Sequence, residues 1–313
     1  MTMTEMVTAR LASSRSVLLA GCGGGYDVFG AVPLVQGLRA AGKRVHLASL
    51  SFTYLNGLSG ARQVEGVPNL YEVPASAADT GVYCPEAWLA RTLGARLGGD
   101  WPVWCFDKTG VQPLLEAYRW LIRTLDLDAI VLLDGGIDAL LRGDETSIGT
   151  PAEDLCSLAA VHRMPVPTRL LACLGMGSEW RDGICHEQAL ARVAEMTAQG
   201  AFLGASPVLL GTSDGDLYRD AVEDTFAGQS GQRQSHVHRV VLAAMRGEHG
   251  EVAPHVWLNP LLPFVWWFDL PAVTRSHLFL DRLTMTRTIW DVHTAVEAAR
   301  HDVKVRAATQ IPF

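Results

Sequence analysis

No apolar run in the 313 residues approaches the roughly 20 needed to cross a bilayer as a helix, so no membrane partner is expected. Positive charge is scarce. Lysine and arginine number 26 against 33 aspartates and glutamates, leaving a net charge of −7, and no basic cluster offsets it, which argues against nucleic acid as a partner. Cysteine is sparse as well: residues 22, 84, 105, 156, 173 and 185 are scattered without a C-x-x-C pair. They read as reduced, mostly buried thiols in a cytoplasm rather than as a disulfide frame. Met1–Ser14 lacks the apolar core of a signal peptide and reads as a flexible N-terminal tail, with residues 15–313 as a single α/β domain. Ser235-His236-Val-His238 cannot place both imidazoles on one helix face, so a zinc site is not expected there.

What is present is a large supply of core. Hydrophobic residues make up 49% of the chain and charged ones 19%, which excludes wholesale disorder. Strand-length apolar runs alternate with helical patterns. Strands are predicted at Ser16–Ala20, Arg44–Leu50, Asn69–Val73, Pro102–Phe106, Ala129–Leu133, Arg169–Leu174, within Phe202–Leu210, and at Val265–Leu270. Helices are predicted at Pro85–Leu97, Leu114–Leu125, from Pro151 to about Val161, and at Glu187–Ala198, Leu217–Phe226, Ser235–Met245 and Arg287–His301, with a short helical piece at Leu278–Leu283. Pro254–Pro263 reads as a loop. Thr150-Pro-Ala-Glu153 carries the letters of a capping box. This alternation implies a Rossmann-like three-layer fold with a mainly parallel sheet and helices on both faces. In such sheets ligands bind outside the carboxyl ends of the strands.

The first strand runs into Gly21-Cys22-Gly23-Gly24-Gly25-Tyr26-Asp27, with four glycines in five positions. Glycines there admit a ligand close to the main chain, and the following helix would offer N–H groups and its positive dipole end to an anion. The dinucleotide fingerprint Gly-x-Gly-x-x-Gly fits badly, since Tyr26 stands where its third glycine belongs and no acid ends the second strand. No Gly-Lys-Ser/Thr follows, so it is not a nucleotide-triphosphate loop either. A thiolate at Cys22 would be favoured at a helix N-terminus, but no base adjoins it.

The strand at Ala129–Leu133 is followed by the densest acids. Asp134, Asp138, Asp144, Glu145 and Glu153 fall within 20 positions, Asp154 follows, and four glycines are interspersed, among them Gly135 and Gly136. A solvated loop could carry such charge but would not need glycines directly behind a buried strand. Asp134, Asp138, Asp144 and Glu145 are therefore the candidate catalytic acids, for proton transfer or, with Asp134 and Asp138 as ligands, for Mg²⁺. Thr150 joins them as a binding candidate. Gly175-Met176-Gly177-Ser-Glu179, after the next strand, is a second ligand-loop candidate. Asp107-Lys108-Thr109-Gly110 and the strand-end Asp269 are weaker ones.

Taken in order, Gly21–Asp27, Asp134-Gly-Gly-x-Asp138 running into Arg142-Gly-Asp-Glu145, Gly149-Thr-Pro-x-x-Asp154, Gly175-Met-Gly-x-Glu179 and Trp267-Phe-Asp269 resemble the domain-of-unknown-function 1152 family over about residues 15 to 300. The resemblance implies one Rossmann-like α/β domain and carries no known reaction. The residues themselves point to a non-redox enzyme acting on a small polar, anionic or nucleotide-like metabolite by hydrolysis, cyclisation or group transfer. An NAD-type dinucleotide enzyme and a non-catalytic metabolite-binding protein are the alternatives. The cofactor stays open between Mg²⁺ and a nucleotide. Expected partners are the small-molecule ligand and, beyond it, only further copies of the chain. If the strands at Ser16 and Ala129 are both central and parallel, the glycine stretch and the acids after Leu133 open into one crevice, since neighbouring strands lie about 4.8 Å apart.

Overall fold

Residues 5–311 are described by a computed structural model. The chain opens with α1 (Glu5–Ala12), β1 (Ser16–Gly24), α2 (Val32–Ala40) and β2 (Arg44–Leu50). A hairpin, β3 (Arg62–Val64) and β4 (Val67–Val73), precedes α3 (Pro85–Leu97), β5 (Val103–Phe106) and α4 (Val111–Leu125). Next come β6 (Ala129–Gly135), α5 (Pro151–His162), β7 (Thr168–Leu174), α6 (His186–Ala198) and β8 (Phe202–Pro207). The last part comprises α7 (Ser213–Gly228), α8 (His236–Met245), the hairpin β9 (Gly250–Ala253) and β10 (Val256–Leu258), β11 (Phe264–Asp269), α9 (Leu270–Arg275) and α10 (Ile289–Asp302).

Nine strands form one sheet in the order β3-β4-β5-β2-β1-β6-β7-β11-β8. β5, β2, β1, β6 and β7 run parallel, while β4 and β11 are antiparallel to both their neighbours. From β1 the chain steps outward to β2 and β5, then returns across β1 to start again at β6. The strand order therefore reverses between β1 and β6, where crossovers leave a crevice at the carboxyl ends.

The continuous apolar runs are explained by burial on both faces. Because side chains alternate along a strand, Leu18, Ala20, Ile130 and Leu132 face one core, with α4, α5, α6 and α10 packed on it. Val17, Leu19, Val131 and Leu133 face the other, covered by α2, α3, α7 and α8. The result is the three-layer α/β arrangement that the alternation of patterns implied.

Several elements differ from the pattern reading. Glu5–Ala12 is helical, not a loose tail, and residues 1–4 lie outside the described residues. β1 does not stop at Ala20 but continues through Gly24, bulging between Ala20 and Gly24 where it leaves strict register with β2. The loop at Pro254–Pro263 contains β10, and β3 was unsignalled; both are three-residue strands too short to show alternation. Leu278–Leu283 reduces to a 3-10 turn at Leu280–Leu283. β11 is antiparallel to β7, so Asp269 lies opposite Leu170, away from the carboxyl ends of β1 and β6. There its carboxylate caps α9 through the Ala272 N–H at 3.0 Å. Among the described residues no helix is long and apolar enough to cross a membrane.

Candidate functional site

β1 and β6 are direct neighbours, with Gly21 opposite Leu133, so the glycine stretch and Asp134 meet on one sheet edge. Asp134 shares the parity of Ile130 and Leu132 and faces α5. Asp154 comes from the first turns of α5, and Asp27 opens the 3-10 turn (Asp27–Ala31) that follows β1. One carboxylate oxygen from each of Asp27, Asp134 and Asp154 lies within 4.8 Å of the other two. Asp134 and Asp154 are 2% and 3% exposed, whereas Asp27 is only half-buried and opens the group to solvent.

The backbone holds these acids in place. Asp27 Oδ2 accepts the Gly23 N–H at 2.7 Å, and Asp134 Oδ2 accepts that of Ala139 at 3.1 Å. Asp154 Oδ1 is buried with no donor. A Cβ on Gly23 would stand 2.6 Å from Asp154 Oδ1 and 2.7 Å from Asp27 Oδ2. At Gly136 it would stand 2.5 Å from the Glu179 carboxyl carbon. Glycine here makes room for the chain's own carboxylates, and the Gly23 and Gly25 N–H groups are already taken, by Asp27 and by the Leu50 carbonyl at 2.9 Å.

A pair of acids, Asp138 and Glu179, adjoins these three. Glu179 accepts the Ile137 N–H at 2.5 Å and lies close enough to Asp138 for that carboxylate's charge to raise its pKa. Asp138 Oδ2 accepts the N–H of Thr150 at 2.9 Å and its hydroxyl at 3.2 Å. Thr150 therefore orients Asp138 and does not cap α5; the capping box its letters suggested is not made, because Glu153 turns to Lys108 at 3.0 Å.

Burial pushes Asp134, Asp154 and Glu179 well above the usual carboxylate range, and the charge of Asp138 adds to it in each. Asp138 rises for the same first reason, and Asp27 is pushed up to about 7. Crowded acids in a place with little water cannot all ionise. Five acids from four segments thus crowd together, three of them, Asp27, Asp134 and Asp154, around one point.

Other candidates sit elsewhere. Asp144 and Glu145 meet Arg306 at 2.9 and 3.0 Å, and Glu145 also accepts the N–H groups of Arg142 and Gly143 at 2.9 and 2.8 Å. Their carboxylates clamp the C-terminal segment. Cys22 is buried with its thiol 3.5 Å from the Asp154 carbonyl, and burial and Asp154 push its pKa far up, so it is not a thiolate. Tyr26 packs on Phe29, centroids 5.1 Å apart, as core. Gly175 and Gly177 flank the buried Met176 and carry the chain from β7 to Glu179 with φ of 107° and 95°. Gly211-Thr-Ser-Asp-Gly215 has the letters of a nucleophile elbow. Its Ser213 is the exposed first residue of α7, and no base hydrogen-bonds its hydroxyl among the described residues.

Beside the acids, at the carboxyl ends of β2 and β5, lies a cavity of about 690 Å³ lined by Phe52, Tyr54, Asn69, Lys108 and Arg287 among others. It adjoins the acids at two points: the Phe52 ring presses against Gly24, and Lys108 pairs with Glu153, the neighbour of Asp154. Lys108 Nζ stands 4.1 Å from the Phe52 ring centroid, and the buried Asn69 Nδ2 has no acceptor. Asp154, Phe52, Asn69 and Arg287 were not singled out as site residues from sequence. Only Asp154 carried a signal: it stands with Leu158 and Val161 on the buried face of α5, where an acid is out of place.

The family model described as "Protein of unknown function (DUF1152)" matches residues 90–303. Asp134, Asp138, Asp154 and Glu179 fall inside that span; Asp27 and the glycines of β1 precede it. No curated protein and no solved structure matches the chain.

Proposed function

We propose, for a chain that belongs to the DUF1152 family, a non-redox enzyme that hydrolyses, cyclises or transfers a group on a small anionic, nucleotide-like metabolite. The observation that carries this reading is the convergence of Asp27, Asp134 and Asp154 on one point, with Asp138 and Glu179 close by, beside a cavity lined by Lys108 and Arg287 as well as by Asp107 and Glu116. Glu179, whose pKa is raised by burial and by Asp138, is the general acid and gives its proton to the leaving group; Asp138 takes one from the attacking hydroxyl or water, so the pair ends with the protons it began with. Asp134, fixed by the Ala139 N–H, orients the reacting hydroxyl or water. The anionic part of the substrate lies against Lys108 and Arg287, and its flat part on Phe52. Six free thiols, five of them buried, support a reducing, cytoplasmic setting. The partner is the small molecule and, beyond it, only further copies of the chain, with neither nucleic acid nor membrane.

Thermal shift and mass spectrometry with nucleoside phosphates, NAD, NADP and S-adenosylmethionine test the proposal. A nucleoside phosphate should raise the melting temperature and be converted. Lys108→Ala should weaken the shift, and Asp138→Asn should bind but turn over at least ~10²-fold more slowly. A shift with one dinucleotide alone would favour the dinucleotide enzyme instead. A ligand retained through purification and never converted would favour a binding protein. Wild-type turnover in Asp138→Asn would remove the catalytic assignment.

A further inference from the structure

We infer that Asp27, Asp134 and Asp154 form a binding site for one hard divalent cation, Mg²⁺ or its analogue Mn²⁺, at the point where the strand order reverses between β1 and β6. One oxygen from each acid lies within 4.8 Å of the others, although the acids come from three separate segments. Mg–O bonds of about 2.1 Å place ligand oxygens about 3–4 Å apart, so small side-chain rotations close the set. Asp154 Oδ1 is buried without a donor, 3% exposed overall, at the point where a Cβ on Gly23 would intrude. A buried oxygen with no hydrogen is a cation ligand or a loss of stability.

The donor set selects the class of ion. All three donors are carboxylate oxygens, which suit Mg²⁺ or Mn²⁺ rather than a soft metal. The Cys22 thiol beside the group is engaged otherwise, pointing to the Asp154 carbonyl at 3.5 Å. Three carboxylates exceed the charge of a divalent ion by one, and half-buried Asp27 leaves a side open for water. The Gly23 and Ala139 N–H groups fix two of the donors from behind, as outer partners do at metal sites.

As a cofactor for the reaction, the ion rests on the function proposed above; as a binding site it does not. The test therefore reads binding and not turnover. Mn²⁺ is titrated into the full chain by electron paramagnetic resonance and calorimetry, with Mg²⁺ as competitor. One Mn²⁺ per chain, displaced by Mg²⁺, is expected. Asp154→Asn should weaken it at least ~10-fold. So should Gly23→Ala, which removes no charge but sets a methyl group between Asp27 and Asp154. Asp281→Asn, a surface acid paired with Arg163, should bind as wild type does. Circular dichroism checks that each variant folds, and should Asp154→Asn not fold, Gly23→Ala and the wild-type stoichiometry decide. No saturable Mn²⁺ binding, or equal binding in wild type and Gly23→Ala, would overturn the site. Binding without conversion of any nucleotide would leave the site standing and remove the enzymatic reading.

Discussion

Asp154 concentrates the conflict between stability and use at the residue scale. Its Oδ1 has no donor, and the carboxylates of Asp27 and Asp134 converge on it. A buried unsatisfied polar atom costs about 1–3 kcal/mol, and like charges close together add to that. Replacement by a neutral amide of the same shape therefore relieves the metal-free protein. We predict that Asp154→Asn unfolds at a higher temperature than wild type without divalent ions, by about 1 kcal/mol in calorimetry. With Mg²⁺ the order should invert, because the ion binds the folded wild type more tightly than the folded variant and so stabilises it more.

At the scale of elements, the loop between β6 and α5 does two separate jobs. Its first half turns Asp134 toward Asp27 and Asp154 and Asp138 toward Thr150; its second half, through Asp144 and Glu145, anchors the chain after α10. Arg306 reaches both carboxylates, Arg300 in α10 donates to the carbonyls of Gly143 and Glu145 at 2.9 Å, and Glu145 is fully buried. Arg306→Ala leaves Glu145 with its two backbone donors but no counter-charge. The expected loss is about 1–2 kcal/mol, kept modest by the partly exposed arginine. Hydrogen exchange should rise together in residues 142–146 and 303–311 while the strands stay protected. The capping motifs also show local rules yielding to the site. Thr288 and Asp291 complete a capping box on α10, whereas Thr150 and Glu153, with matching letters, turn to Asp138 and Lys108.

Across the whole molecule, buried His238 and half-buried Asp27 make stability depend on pH with opposite signs. His238 ties α8 to α7 and to the turn after β1: its Nε2–H donates to the Tyr26 carbonyl at 2.9 Å, and Nδ1 takes the Tyr218 hydroxyl at 2.6 Å. Burial lowers its pKa from 6.5 to about 4. Above pH 6.5 neither state carries the proton and nothing changes. As pH falls below that value the unfolded chain gains a proton that the fold refuses, so stability drops by about 1.4 kcal/mol per unit until the folded pKa is reached. Asp27, raised from 3.8 to about 7 by burial, works the other way: across that window the folded state holds the proton more tightly, so its contribution is lost as pH rises. Urea denaturation of wild type and His238→Gln separates the two. The stability difference between them should shrink on going from pH 7 to pH 4.5, and a difference independent of pH would refute the linkage.

The sequence by itself determined the layered α/β fold, because Ala129–Leu133 and Ser16–Ala20 are apolar on both faces and admit no other environment. It also located the two places that matter, the glycines after Ala20 and the acids after Leu133, since both break an apolar strand abruptly. Pattern could not say what those glycines are for. Only the adjacency of β1 and β6 shows that Gly23 gives space to Asp27 and Asp154, residues 127 positions apart in sequence. Nor could spacing divide the acids. Asp138 and Asp144 are equally plausible along the chain, but one faces Glu179 and the other Arg306, and that is settled by which elements pack against the loop. Asp154, Phe52, Asn69 and Arg287 come from elements far apart in sequence, and no local rule relates them. Tertiary structure decided the site because its distances depend on strand order, which the chain specifies only through packing of the whole sheet.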